Sequence, residues 1–177
     1  MFNIKQMRIE MKKTFLAAVL IAVAFGQSAF AQTDSASVFK NVIASYISLK
    51  NALTIDNGDS AAVSAGRLFT ALGEMPADSL ASRHAAGAKY HEKLSHEALQ
   101  IKNADDIDTQ REHFKKLSVD MYAMLKSLEI KNVDLYYDYC PMAKAYWVSE
   151  KENIVNPYLG QSMPTCGSVK DTIRAAK

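Results

Sequence analysis

DIDTQREHFKKLSVDMYAMLKSL, residues 106–128, is the stretch whose reading decides the fold. Ile107, Phe114, Leu117, Met121, Leu125 and Leu128 recur at intervals of three, four and seven. That period lays a single apolar stripe along one face of a helix starting near Asp106. A helix with one apolar face must bury it against another element, so the upstream sequence is the place to look for partners.

Three further segments supply them. Val38, Val42, Ile43, Tyr46, Leu49 and Leu53 recur at helical spacing, and Asn57-Gly58 is expected to end that helix. A second helix is expected from near Asp59, with Ala62, Ala65, Phe69 and Leu72 on one face, stopping around Gly73 and Pro76. A third runs from near Asp78 to about Lys102. Connections of a few residues make antiparallel neighbours, so the expected fold is mainly α, an up-down four-helix bundle over residues 35–128. After Leu128 the pattern changes to a turn-rich Cys/Met/aromatic segment, residues 129–177, with room for a short strand pair. Val133 to Tyr139 reads as extended, Asn156-Pro157-Tyr158-Leu159-Gly160 as turn chemistry, and Val169 to Ala175 as a short strand or a helical turn. This tail is expected to lay its aromatics on the bundle rather than to fold alone.

The N-terminal end reads as a leader. Met11-Lys12-Lys13 is a basic stretch, Thr14 to Phe25 is apolar, and Ala29-Phe30-Ala31 offers a small-x-small cleavage site before Gln32. Residues 1–31 are therefore expected to be a removable signal peptide, with Met11 as a candidate true start, and residues 32–177 a single domain. The apolar run is too short for a stable membrane anchor. Lys5, Arg8, Lys12, Lys13 and Glu10 leave with it, taking 21 basic and 19 acidic residues to 17 and 18, a net charge of −1. The pI of 8.4 thus belongs to the leader. Nothing basic is left to suggest nucleic acid or an anionic membrane as a partner. The expectation is a soluble exported or periplasmic protein without membrane insertion after cleavage. About 146 residues suffice for one real core.

The chemistry-bearing residues lie in the tail. Cys140-Pro141-Met142 and Met163-Pro164-Thr165-Cys166 carry two thiols and two thioethers, the soft donor set that selects Cu(I) and related thiophilic metals. Cys140 and Met142 are two apart and share a face if extended, and a turn can bring Met163 to Cys166. The competing reading is a Cys140–Cys166 disulfide with two packed methionines, which on the chain-entropy model stabilises by about 3–4 kcal/mol. Residue chemistry alone favours the disulfide, because cysteine pairs in exported domains usually oxidise. Among the histidines, His84 and His91 fall on the seam Leu80, His84, Gly87, His91, Leu94, Ala98, Ile101. They stand about 10 Å apart along the helix and cannot chelate one ion as a simple pair. His91 is kept as a fifth candidate ligand. His96 lies on another face, and His113 is expected at the surface or an interface. No nucleophile elbow, phosphate loop, paired-carboxylate motif or Cys-x-x-Cys spacing appears, so no enzymatic activity is expected.

Tyr139-Cys140-Pro141-Met142-Ala143, Trp147 with Ser149, Ile154 with Asn156-Pro157-Tyr158 and Gly160, then Met163 and Cys166-Gly167, together resemble an uncharacterised periplasmic domain family. Ala52-Leu53 with Asp56 and Asp59, and Arg111 with Phe114 and Leu117-Ser118, resemble its helical half. The family occurs alone and fused to periplasmic adaptor subunits of resistance-nodulation-division heavy-metal efflux pumps. The resemblance implies handling of copper or another heavy metal beside an efflux system, and it brings the metal reading level with the disulfide. On it, Cys140, Met142, Met163 and Cys166 are expected to hold Cu(I) or a similar soft ion. Tyr139, Trp147 and Tyr158 would shield the site.

Overall fold

The structure, a computed structural model, describes residues 35–75, 85–128 and 133–175. The expected leader with its Ala29-Phe30-Ala31 junction, the start of the third helix near Asp78, and His84 lie outside the described residues. Four helices come first: α1 (Ser35–Thr54), α2 (Gly58–Gly73), α3 (Ala85–Asn103) and α4 (Ile107–Ser127). Three strands follow, β1 (Leu135–Cys140), β2 (Ala145–Ser149) and β3 (Ser168–Ile173), with one 3-10 turn at Gly160–Ser162 before β3.

Helix α1 buries Val38, Val42, Tyr46, Leu49 and Leu53, the expected stripe. Its end differs by one residue from expectation. Asp56 takes the left-handed conformation (φ 56°), and the Asn57 N–H closes the last turn on Ala52 O at 3.0 Å. Asn57 itself opens α2, its side chain accepting the Ser60 N–H at 2.8 Å, because a short amide side chain caps a helix start well. The buried face of α2 is Ala61, Ala65, Leu68 and Leu72: Ala65 and Leu72 are buried as expected, while Ala61 and Leu68 stand in for Ala62 and Phe69, and Phe69 is exposed. In α3, Leu94, Ala98 and Ile101 are buried as the seam required. Helix α4 is capped by Asp106, whose carboxylate accepts the Thr109 N–H at 2.8 Å. It buries Phe114, Leu117, Met121, Met124 and Leu125. Helix α1 packs on α2, α2 on α3, and α3 on α4. The Tyr46 ring stacks on Phe114 at 5.4 Å and its hydroxyl meets Ser118 Oγ at 2.7 Å, so α1 also touches α4.

The tail holds more regular structure than its turns suggested. Its strands form one antiparallel sheet in the order β2-β1-β3, with a register irregularity between Tyr137 and Asp138. The second strand was missed in sequence because Ala145–Ser149 is five residues long and almost uniformly buried, so it shows no alternation. The sheet sits on α4 through aromatics. Tyr122 stacks on Tyr137 at 3.7 Å, Tyr137 on Tyr146 at 4.9 Å, and Phe114 lies 5.7 Å from Tyr158. The tail is thus ordered on the bundle, as expected. Among the described residues no helix is long and apolar enough to cross a membrane.

Candidate functional site

Cys140 is the last residue of β1, paired with Ala145 at the mouth of the β1–β2 hairpin, and its side chain is fully buried. Cys166 stands two residues before β3, half-buried. Gly167 explains how the two meet. Its φ is 149°, and a Cβ there would lie 2.8 Å from the Trp147 ring and 3.1 Å from Tyr139 O. Only glycine lets this backbone press against the sheet so closely. The two Sγ atoms come to 2.8 Å.

Asn156 builds the second arm. It is fully buried, and its N–H donates to Pro164 O at 2.8 Å while its Nδ2 donates to Cys166 O at 2.6 Å. Its Oδ1 accepts the N–H groups of Tyr158 and Leu159 at 2.8 and 3.0 Å. One side chain therefore fixes both ends of the loop that carries Met163 and Cys166. The loop is in turn gripped by the bundle. Arg111 on α4 donates to Pro157 O at 2.9 Å, to Leu53 O at 3.0 Å and to the Asp56 carboxylate. Asp56 accepts the Gln161 N–H at 3.0 Å, and this bond, with that of Arg111, holds its pKa below the ordinary carboxylate value. Gly160 (φ 51°) is compulsory here, since a Cβ would fall 1.8 Å from Asp56 Oδ1.

Burial works against ionisation of Cys140, but hydrogen bonds override it. The Cys166 thiol, the Ala143 N–H at 3.4 Å, the Asn156 amide and the Met142 N–H together hold its pKa below the usual thiol value. Cys166 moves the other way, raised first by its hydrogen bond to Cys140, then by burial and by the Cys140 charge. The two thiols lie so close that they titrate together, and the first proton lost belongs to the pair.

The methionines lie on the two arms beside this pair, Met142 within the hairpin turn and Met163 just after the 3-10 turn, 67% and 44% exposed. Trp147 and Tyr158 are buried next to each other, 5.9 Å apart edge to face. His91 is seated elsewhere, on α3 against the end of α2, where its Nε2 is 2.9 Å from Leu72 O. His113 is found at an interface, its Nδ1 2.7 Å from the Glu97 carboxylate of α3. Among the described residues no three His, Cys, Asp or Glu side chains group as metal ligands. Two thiols and two thioethers fit a soft ion and suit a hard one badly.

Sequence reasoning missed Asn156 and Arg111 as organisers and Asp138 altogether. Asp138 is fully buried on β1 opposite Trp147, and neither carboxylate oxygen has a hydrogen-bond partner of good geometry. Burial pushes its pKa up to about 6 despite the Ser149 hydroxyl and the Lys50 ammonium, which is itself tied to Glu150 at 2.9 Å. A lone Asp in a tyrosine-rich strand gives no sequence signal of this.

No curated protein and no solved structure matches the chain. A family model does, over residues 42–132, from the second turn of α1 to just before the sheet. The match covers the helical half and ends before Cys140. The chain belongs to the family described as "Protein of unknown function (DUF3347)".

Proposed function

We propose that this chain is an exported, non-enzymatic protein that binds Cu(I) or a similar soft metal, with Cys140, Met142, Met163 and Cys166 as ligands. The carrying observation is that both methionines are exposed and stand on the two short segments that bring Cys140 and Cys166 together. The disulfide reading takes Met142 and Met163 as packed residues, and both are exposed. An exposed thioether next to thiols gains little from burial, whereas a soft metal uses it as a donor. Cys140, poised towards the thiolate, supplies the charge that a Cu(I) site needs. His91, whose Nε2 lies 2.9 Å from Leu72 O, is left out of the proposed set.

The rest of the proposal follows from the sequence. The leader-like residues 1–31 support export to the periplasm, and the resemblance to efflux-associated domains supports a role in metal tolerance or efflux, with periplasmic pump components as partners. An up-down path for the four helices is supported by the three-residue connections from α1 to α2 and from α3 to α4. A second reading, a structural or protein-interaction domain stapled by Cys140–Cys166, is favoured by the adjacency of the two sulfurs. Intact mass and free-thiol titration of the chain purified from the periplasm, with and without copper, separates the two. Two thiols protected by metal support the first, and two missing hydrogens with no metal support the second.

A further inference from the structure

We infer that Cys140 and Cys166 form a thiol–disulfide exchange site for small disulfides, with Cys166 the sulfur that meets the disulfide and Cys140 the buried sulfur that completes the exchange. The two cysteines are unequal in the way such a pair requires. Cys166 is half-exposed and follows the exposed residues Met163, Pro164 and Thr165, so a small molecule can reach it. Cys140 is fully buried at the end of β1 and closed to direct attack. Its sulfur nevertheless lies 2.8 Å from that of Cys166, on a loop held by Asn156 and Gly167. The Ala143 N–H points at the Cys140 sulfur from the hairpin turn, 3.4 Å away, ready to stabilise negative charge there.

The chemistry balances without a metal. The thiol pair gives one proton to solvent, and with the remaining proton on Cys140 the Cys166 thiolate attacks one sulfur of a disulfide R–S–S–R. A Cys166–S–S–R bond forms, the R–S–S–R bond breaks, and one RS⁻ leaves. Cys140 then gives up its proton and its thiolate attacks Cys166 Sγ, forming the Cys140–Cys166 bond and releasing the second RS⁻. Both RS⁻ take up the protons lost by the two cysteines, so the chain is oxidised by two electrons and the small disulfide reduced to two thiols. In reverse, an incoming thiolate strikes the reachable Cys166 sulfur and Cys140 leaves, its charge received by backbone N–H groups. This exchange does not depend on the metal proposal and goes beyond it. It assigns a reactive sulfur, a resolving sulfur and a class of co-reactant.

The test uses the whole reduced chain, freed of metal, with glutathione disulfide as the probe. Samples are quenched in acid at intervals, weighed intact and mapped by peptide mass. A transient glutathione adduct on Cys166 is expected, followed by the intramolecular disulfide and two glutathiones released per chain. Cys140→Ala should hold the adduct on Cys166. Cys166→Ala, whose remaining thiol is buried, should react more than about tenfold more slowly. An adduct on Cys140, equal rates for the two variants, a wild type that stops at the mixed disulfide, or no reaction would each overturn the inference. If circular dichroism shows either variant unfolded, the quench map of the wild type decides alone. Cu(I) binding by the reduced chain is measured separately, so either idea can fail without the other.

Discussion

Asp138 is the residue least at ease in this fold. Its side chain is buried, its oxygens lack partners, and its pKa of about 6 stands above the 3.8 of an ordinary carboxyl. The folded state therefore prefers the protonated form. The stability this group contributes is complete below about pH 4 and is lost as pH rises through 6. A shift of that size corresponds to about 2–3 kcal/mol. Asp138→Asn cannot ionise, so the variant should gain on wild type by about that amount between pH 4 and 7. Urea denaturation of both proteins at several pH values measures it, and a difference that stays constant with pH would refute the assignment. Gly160 and Gly167 are constrained differently, by close approach to Asp56 and to Trp147, and neither admits a side chain without moving its neighbour.

At the scale of elements, the joint between α1, α4 and the loop before Met163 holds the sulfur corner in place. Arg111 makes three of its bonds and is largely shielded from solvent. Arg111→Ala should cost about 2–4 kcal/mol, since it strands two carbonyls and a carboxylate. Amide hydrogen exchange should speed up first around Gly160–Ser162, while α2 and α3 keep their protection. Uniform loss of protection across the helices would mean that the joint is not local. The helices are legible because their stripes are long: α1 and α4 bury the residues their spacing names, apart from Ile43 and Ile107, which are partly buried against the core. On α2 the spacing names Ala65 and Leu72 but not Ala61 and Leu68, because Ala and Ser make up most of the buried face and carry little contrast in hydropathy. The sheet was half legible, β1 and β3 through β-formers near turn residues. Strand β2 was hidden because its burial is nearly continuous. The adjacency of Cys140 and Cys166 was a candidate in sequence, whereas the Asn156 hub was not, since its four hydrogen bonds depend on a loop shape no spacing reveals.

Taken whole, the molecule is a helical scaffold whose α4 carries a small sheet, and the sheet carries the sulfur pair. Tyr122 of α4 stacks on Tyr137 of the sheet, Phe114 of α4 meets Tyr158 in the turn after β2, and Tyr46 of α1 accepts the Val148 N–H at 3.0 Å. Without those partners the tail has too little apolar contact to offset the entropy of ordering it. A reduced, metal-free peptide of residues 129–177 should give narrow, undispersed NMR spectra, and protected amides in it would contradict this dependence. We propose that this supported corner binds a soft metal through sulfur from both arms. Competition with a Cu(I) chelator under reducing conditions tests it most directly, wild type against the Met142→Leu/Met163→Leu double variant. Leu nearly matches Met in volume and both sites are exposed, so the fold should change by under about 1.5 kcal/mol. The thioethers alone are lost. The account predicts measurable Cu(I) binding by wild type and affinity at least about tenfold weaker in the variant, one ligand's worth of about 1.4 kcal/mol or more. Equal affinities, or no competition by wild type, would contradict it.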